Sequence, residues 1–353
     1  MLPKNIHSGF WPYGHCQGIA VDTKREFMYY SFTTALVKTD MQGNLIGYCT
    51  GLLGHLGCIA FNDADGRVYG SLEYKNDAIG RGILSKAGHA GEITDAFYIA
   101  RFDVWKIDRP DMDACADGVM QGVYLKEVVD DYHAVVECDG RMVEHRHGCS
   151  GIDGTTIGPM PGDVDGKKYL FVTYGVYGDV SRSDNDDQVI LCYDMANWDD
   201  FARPISQDDM HTCGPEKPDR KLFVRTGNTN WGVQNLEYDP YSRSFLMAVY
   251  PGSKPEWPNK PMYIVDAAIA PAGDRLTLKE AANCIGWDYG YGATGLIALG
   301  DGQYYVSYDG KTEDGWFTDV KLCRWNGVDP IEVCECFRVD AATEGVEAST
   351  NFA

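Results

Sequence analysis

Three histidines stand beside glycines at recurring points of the chain, as Gly14-His15, Gly54-His55 and His147-Gly148, out of only eight histidines in 353 residues. Three neutral imidazoles at equivalent places suit a divalent cation such as Mn, Fe, Zn or Ca, with Gln17 or Gln234 adding an oxygen and one position left open for substrate. Without a metal, one of them serves as general acid or base, because imidazole titrates near neutrality. The matching places in two further repeats hold Trp231-Gly232 and Tyr291-Gly292. Two residues beyond these points come Gln17, Gly57, Ser150, Gln234 and Thr294, mostly polar.

A second set of residues reads as a binding surface. Phe32, Leu72, Tyr174, Tyr250 and Tyr308 end a series of strand-like runs, and the loops after them carry Glu73, Lys75, Asp77, Tyr177, Lys254 and Asp309. Aromatic platforms beside charged groups suit a sugar ring, whose apolar face stacks while its hydroxyls take charge-assisted hydrogen bonds. Arg146, in the run Glu144-His145-Arg146-His147, is placed to neutralise a substrate carboxylate or phosphate. The residues expected to act in catalysis are therefore His15, His55, His147, Arg146 and Tyr174. Gln17, Glu73, Lys75, Trp231, Gln234, Tyr250, Lys254, Tyr289, Tyr291 and Tyr308 are expected to hold substrate.

What must position these groups is a strand-turn-strand unit that recurs five times. Ile19 to Ser31 and Ile59 to Ser71 each span 12 positions, and Leu236 and Leu296 open a fourth and a fifth copy. The third is read from Ile152 to Thr173, with Gly158-Pro159-Met160-Pro161-Gly162 as an inserted loop. Short strands repeating at this interval cannot cover their own apolar faces and must stack in a ring. The expected fold is all-β, a single five-bladed β-propeller of four-stranded antiparallel blades over residues 1–353. Its blades are expected at 9–53, 54–133, 146–206, 221–281 and 286–339. The excess in blade two, Lys75 to Trp105, reads as a long loop overhanging the ring.

Composition narrows the partners. A formal charge of −21 repels nucleic acid and anionic membrane, which leaves a small molecule or oligosaccharide as the expected substrate. No apolar stretch approaches the length of a membrane helix and the start lacks a signal-peptide core, so the chain reads as cytoplasmic. Its twelve cysteines are scattered, and several fall on strand-like runs, where Cys behaves as a small apolar residue; free thiols are expected. No nucleophile elbow, phosphate-binding loop or His-Glu-x-x-His motif is present, and the acidic run 183–187 lacks the Gly and Glu of a calcium loop.

In architecture the chain resembles the five-bladed propellers, a group that includes arabinanases, fructosidases and mannoside phosphorylases. Those glycosidases place carboxylates where this chain has His15, His55 and His147, so their acid/base pair does not carry over. The clustered His and Gln are instead similar to the metal centre of oligogalacturonate lyases, propellers with more blades. The resemblance implies an enzyme that cleaves or modifies a small sugar or a uronate-containing oligosaccharide, as a lyase or hydrolase. The alternative is a non-catalytic ring that binds a ligand or protein on the same face.

Overall fold

Ala96–Phe102 has every one of its seven side chains buried, although its sequence, AFYIARF, alternates little. A strand buried on both faces needs a neighbour on each side, and here the neighbours are other blades. The computed structural model describes residues 2–89, 91, 93–205, 210–281 and 284–325, with the backbone of the strand Glu332–Val333. Within them five antiparallel sheets form a ring, a five-bladed β-propeller.

Blade one runs outward from Cys16–Val21 through Phe27–Phe32 and Ala35–Asp40 to Leu45–Thr50. Blade two uses His55–Asn62, Arg67–Tyr74, Ala96–Phe102 and Met120–Tyr124, and blade three Cys149–Pro159, Lys168–Val176, Asp187–Tyr193 and Arg220–Arg225. Blade four has three regular strands, Thr229–Asp239, Ser244–Pro251 and Met262–Asp266. Its fourth edge is reduced to the stretch 277–279, where Thr277 O accepts from Asp266 N–H and Lys279 N–H donates to Ile264 O. Blade five consists of Leu296–Ala298, Gln303–Thr312 and Gly315–Arg324, and its next strand is Asn5–His7, from the start of the chain. The first residues thus close the ring on the last blade, a pairing that spans 312 positions between His7 and Asp319. Of the sequence-predicted span of blade five, residues 326–331 and 334–339 lie outside the described ones.

Two insertions sit between blade strands. The segment expected as one long loop, Lys75 to Trp105, instead holds the helix Ala78–Lys86 and the third strand of blade two. Asp77 caps that helix by accepting from Gly80 N–H at 2.8 Å. A second helix, Lys126–Tyr132, lies in the seam between blades two and three and buries Asp131. Among the described residues no helix is long and apolar enough to cross a membrane, and the ten cysteines are free thiols. Burial pushes the thiols of Cys16, Cys49 and Cys58 up to about 12, so they stay protonated and unreactive.

The blades are joined near the axis by backbone contact. Ser31 Oγ donates to Gly57 O of the next blade at 2.7 Å, Ser71 Oγ to Asp153 O at 2.6 Å, and Thr173 Oγ1 to Val233 O at 3.2 Å. Approach this close leaves no space for a side chain on the inner strand. A Cβ on Gly18 would stand 2.9 Å from both Cys58 Cα and Ile59 N. Gly18→Ala should therefore destabilise the fold by about 1–3 kcal/mol. Gly82→Ala, with nothing within 4 Å of its Cβ position, should leave stability unchanged or raised. Denaturant melts of the two variants check this, and equal midpoints would refute it.

Candidate functional site

The ladder between first and second strands fixes which residues are equivalent. Ile19 pairs with Tyr30, Ile59 with Gly70, Thr155 with Val172, Leu236 with Met247 and Leu296 with Val306. Thr155, not Ile152, therefore occupies the repeat position in blade three. Two residues upstream of these five stand Gln17, Gly57, Asp153, Gln234 and Thr294, and four upstream stand His15, His55, Gly151, Gly232 and Gly292. The expected Ser150 and His147 are thus displaced by the register of one strand. Asp153, absent from the sequence-based candidates, takes the axial place.

Gly151 is required by what crosses the seam. A Cβ there would lie 2.0 Å from Glu73 Oε2, which reaches over from blade two and accepts from Ile152 N–H at 3.1 Å. Lys75 stands 2.6 Å from Glu73 Oε1 and 3.6 Å from Asp77, and donates to Ser150 O at 2.9 Å. Burial works against the Lys75 ammonium, but the two carboxylates outweigh it and push its pKa up. The pair fastens blade two to blade three.

Around it the other blades add their own groups. His15 Nδ1 faces Cys16 O at 2.9 Å and its Nε2 faces the Gln17 amide at 3.0 Å, so both ring nitrogens are engaged; Trp316 packs on the ring. His55 lies within electrostatic reach of His15 and Lys75, and burial, reinforced by these two, lowers its pKa to about 3. Its Nδ1 is 3.7 Å from Glu73 Oε1, too far for a hydrogen bond, and has no partner. Asp153 is raised well above the carboxylate range by burial, with the Glu73 charge adding to it, and its Oδ1 also lacks a partner. Tyr250 feels both Asp153 and Asp309. Asp309, at the open mouth, is raised by loss of water around it and held partly in check by His15. The circuit His15, His55, Glu73–Lys75, Asp153, Tyr250, Asp309 closes around the axis. With Gln17, Gln234 and Thr294 it makes a well to which all five blades contribute.

Other expected residues lie elsewhere. His147 packs its ring on Phe223, on the outermost strand of blade three, with centroids 5.2 Å apart, and its N–H donates to Asp184. It belongs to a short turn upstream of the strand, which corrects its placement with His15 and His55. Arg146 and Tyr174 meet not substrate space but the buried Asp131, at 2.8 Å each, where Lys221 also pairs. Lys254 is buried against Asn185, Asp186 and Arg182 O. Trp231 stands 39% exposed beside Tyr177, and at the blade-five rim Tyr291 meets Tyr289 edge to face and Tyr308 at a tilt, with Tyr291 50% exposed.

For a cation this geometry offers less than the sequence suggested. His15 has no free nitrogen, His147 is remote, and among the described residues no three His, Cys, Asp or Glu side chains gather as ligands. What the well does offer is a neutral imidazole, a raised carboxyl group and two amides.

No family model matches the chain, and no curated protein matches it. A solved structure of the PQQ-bound form of aldose sugar dehydrogenase from Streptomyces coelicolor is similar at a TM-score of 0.39 and 12% identity, covering 91% of this chain and all of that one.

The lowered His55 has a consequence for stability. Its unfolded form takes a proton as pH falls through about 6.5 while the folded form resists until about 3, so its contribution to stability is complete above 6.5 and lost on going down. His55→Gln should lose less stability between pH 7 and pH 4 than the unaltered chain. Urea melts across that interval check it; identical slopes would refute it.

Proposed function

We propose that the axial well binds a small neutral sugar and performs acid/base chemistry on it, as a glycoside hydrolase does. One observation carries this reading: His55 Nδ1 and Asp153 Oδ1 are buried at the axis with no hydrogen-bond partner, in a well ringed by amides and carboxyls. Buried polar atoms left unpaired are costly, so they mark where a hydroxyl-rich ligand would be received. Gln17 and Gln234 add amide donors and acceptors, and Tyr250, Trp231 and Tyr291 supply faces on which a sugar ring can stack.

The environments of the ionisable groups divide the work. Asp153, kept protonated by burial, is the proton donor to a departing glycosidic oxygen. Asp309, at the open mouth where water enters, is the partner that takes a proton from the attacking water. His55 stays neutral at every physiological pH, so it orients a hydroxyl rather than shuttling a proton.

The cations argue for a neutral substrate over a uronate. Lys75 is committed to Glu73 and Asp77, Arg146 to Asp131, and Lys254 to Asp186, so none is free to meet a carboxylate. A lyase acting beside a uronate would need that charge neutralised.

Chromogenic glycosides of neutral pentoses and hexoses test the reading. Asp153→Asn should lower kcat at least about a hundredfold with KM little changed, while Gln234→Ala should mainly raise KM. Binding and hydrolysis of none of these sugars, or full activity in Asp153→Asn, would overturn it.

A further inference from the structure

The axis has a second mouth. Midway along it, Asn235 Nδ2 donates to Gln17 O at 2.9 Å and to Ala293 O at 2.7 Å, while the Cys58 thiol reaches Asn235 Oδ1 at 3.2 Å and Thr155 O at 3.4 Å. These bonds tie the inner strands of four blades to the segment that leads into the fifth, and plug the channel. Beyond the plug, one residue after the repeat position, come Ala20, Ala60, Thr156, Glu237 and Ile297. They line a cavity of about 480 Å³ at the far end of the inner strands, within the usual range of small-molecule pockets.

Its walls are mixed: Ile19, Ile59, Phe61, Ile157 and Leu299 give apolar surface between polar side chains, and Glu237 is the one ionisable group among those five axial residues. The Glu237 carboxyl accepts from Ala298 N–H at 2.9 Å and from Thr156 Oγ1 at 3.2 Å, one donor to each oxygen. Among the described residues no Lys, Arg or His pairs with it. The two cations of the lining already have partners: Arg25 donates to Leu299 O at 2.7 Å and faces Asp301, and Lys168 lies 3.7 Å from Asp63. Asp22, Asp63 and Asp165 make the remainder of the lining acidic.

We propose that this lower well is a second binding site, for a primary ammonium carried on an apolar body, with the Glu237 carboxylate receiving the ammonium. Each carboxylate oxygen has capacity for a further donor, and an ammonium supplies three. An anion would meet four lining carboxyls against two committed cations. An uncharged apolar molecule would gain the walls but nothing from Glu237.

Burial raises Glu237 to about 8, so at pH 7 it is mostly protonated and must ionise to take the ammonium. Binding therefore releases a proton. The other charged groups near it are Asp22, Asp63, Asp165, Asp239, Arg25 and Lys168, and the released proton is traced to Glu237 by its loss in Glu237→Gln.

Calorimetric titration of the full chain with 2-phenylethylamine and with 2-phenylethanol tests the proposal. The amine should bind at least about tenfold more tightly than the alcohol, the scale of a hydrogen bond to a charged group. Its apparent enthalpy should depend on the buffer. Glu237→Gln should bring the two ligands to parity and abolish the buffer dependence, whereas Asp153→Asn, in the opposite well, should leave the preference intact. Equal binding of amine and alcohol by the unaltered chain would overturn the proposal whatever the folding of the variants. So would a preference that survives Glu237→Gln or disappears in Asp153→Asn.

Discussion

With only five blades, the inner strands meet so closely at the axis that backbone lies against backbone. Gly18, Gly154 and Gly295 occupy the same place in three blades, and a Cβ on any of them would fall within about 3 Å of the neighbouring inner strand or of its own blade's second strand. The hydroxyls of Ser31, Ser71 and Thr173 use that proximity to reach the next blade's carbonyls. Where the position is not glycine it is Cys58 or Asn235, and those two side chains become the plug. Closure of the ring and division of the channel are thus one constraint. His55, Asp153, Gln17, Gln234 and Glu237 all sit one to three residues from it on the chain.

Burial then decides what those groups can be. The Glu73–Lys75 pair crosses from blade two to blade three at the cost of desolvating both ions, which limits what it adds to stability. Its effect is local: it fixes Gly151 and Ser150 beneath it, its Lys75 charge helps hold His55 neutral, and its Glu73 charge adds to the rise at Asp153. A carboxyl raised well above its usual range and an imidazole that refuses a proton arise from the same dry surroundings. Neither property belongs to a residue type.

The repeat was legible because Ile19 to Ser31 and Ile59 to Ser71 have equal spacing, and equal spacing is what blade stacking imposes. Blade three was misread by three residues because its inner strand runs to eleven residues and is irregular between Ile152 and Thr155. A bulge leaves no mark in residue type, so Ser150 and His147 stood where Asp153 and Gly151 belong. The glycine at 151 was the available signal, since a polar residue two places after it repeats the pattern of His15 to Gln17. The outer strand of blade five was hidden for a different reason: Asn5–His7 pairs with residues more than 300 positions away, and no local pattern encodes that. Tyr174 was placed correctly at the end of a second strand, but whether its ring faced the well or the seam depended on Asp131, carried by a helix outside the repeat.

The two mouths of the channel differ in a way the ring itself produces. At the upper mouth the inner strands begin and the second strands end, which brings together His15, His55, Lys75 and Asp309: Lys75 and His15 act on His55, and His15 on Asp309. At the lower mouth the strands end in tight turns organised by their own carboxylates, as Asp22 accepts from Glu26 and Phe27 N–H and Asp239 from Tyr241 and Ser242 N–H. Those carboxylates are bound by backbone N–H groups of their own turns, and Glu237 faces the cavity with no Lys, Arg or His paired to it among the described residues. One ring therefore gives two electrostatic settings, coupled ionisable groups at the upper mouth and a buried acid without a paired cation at the lower, which is why the two mouths are proposed to take different ligands.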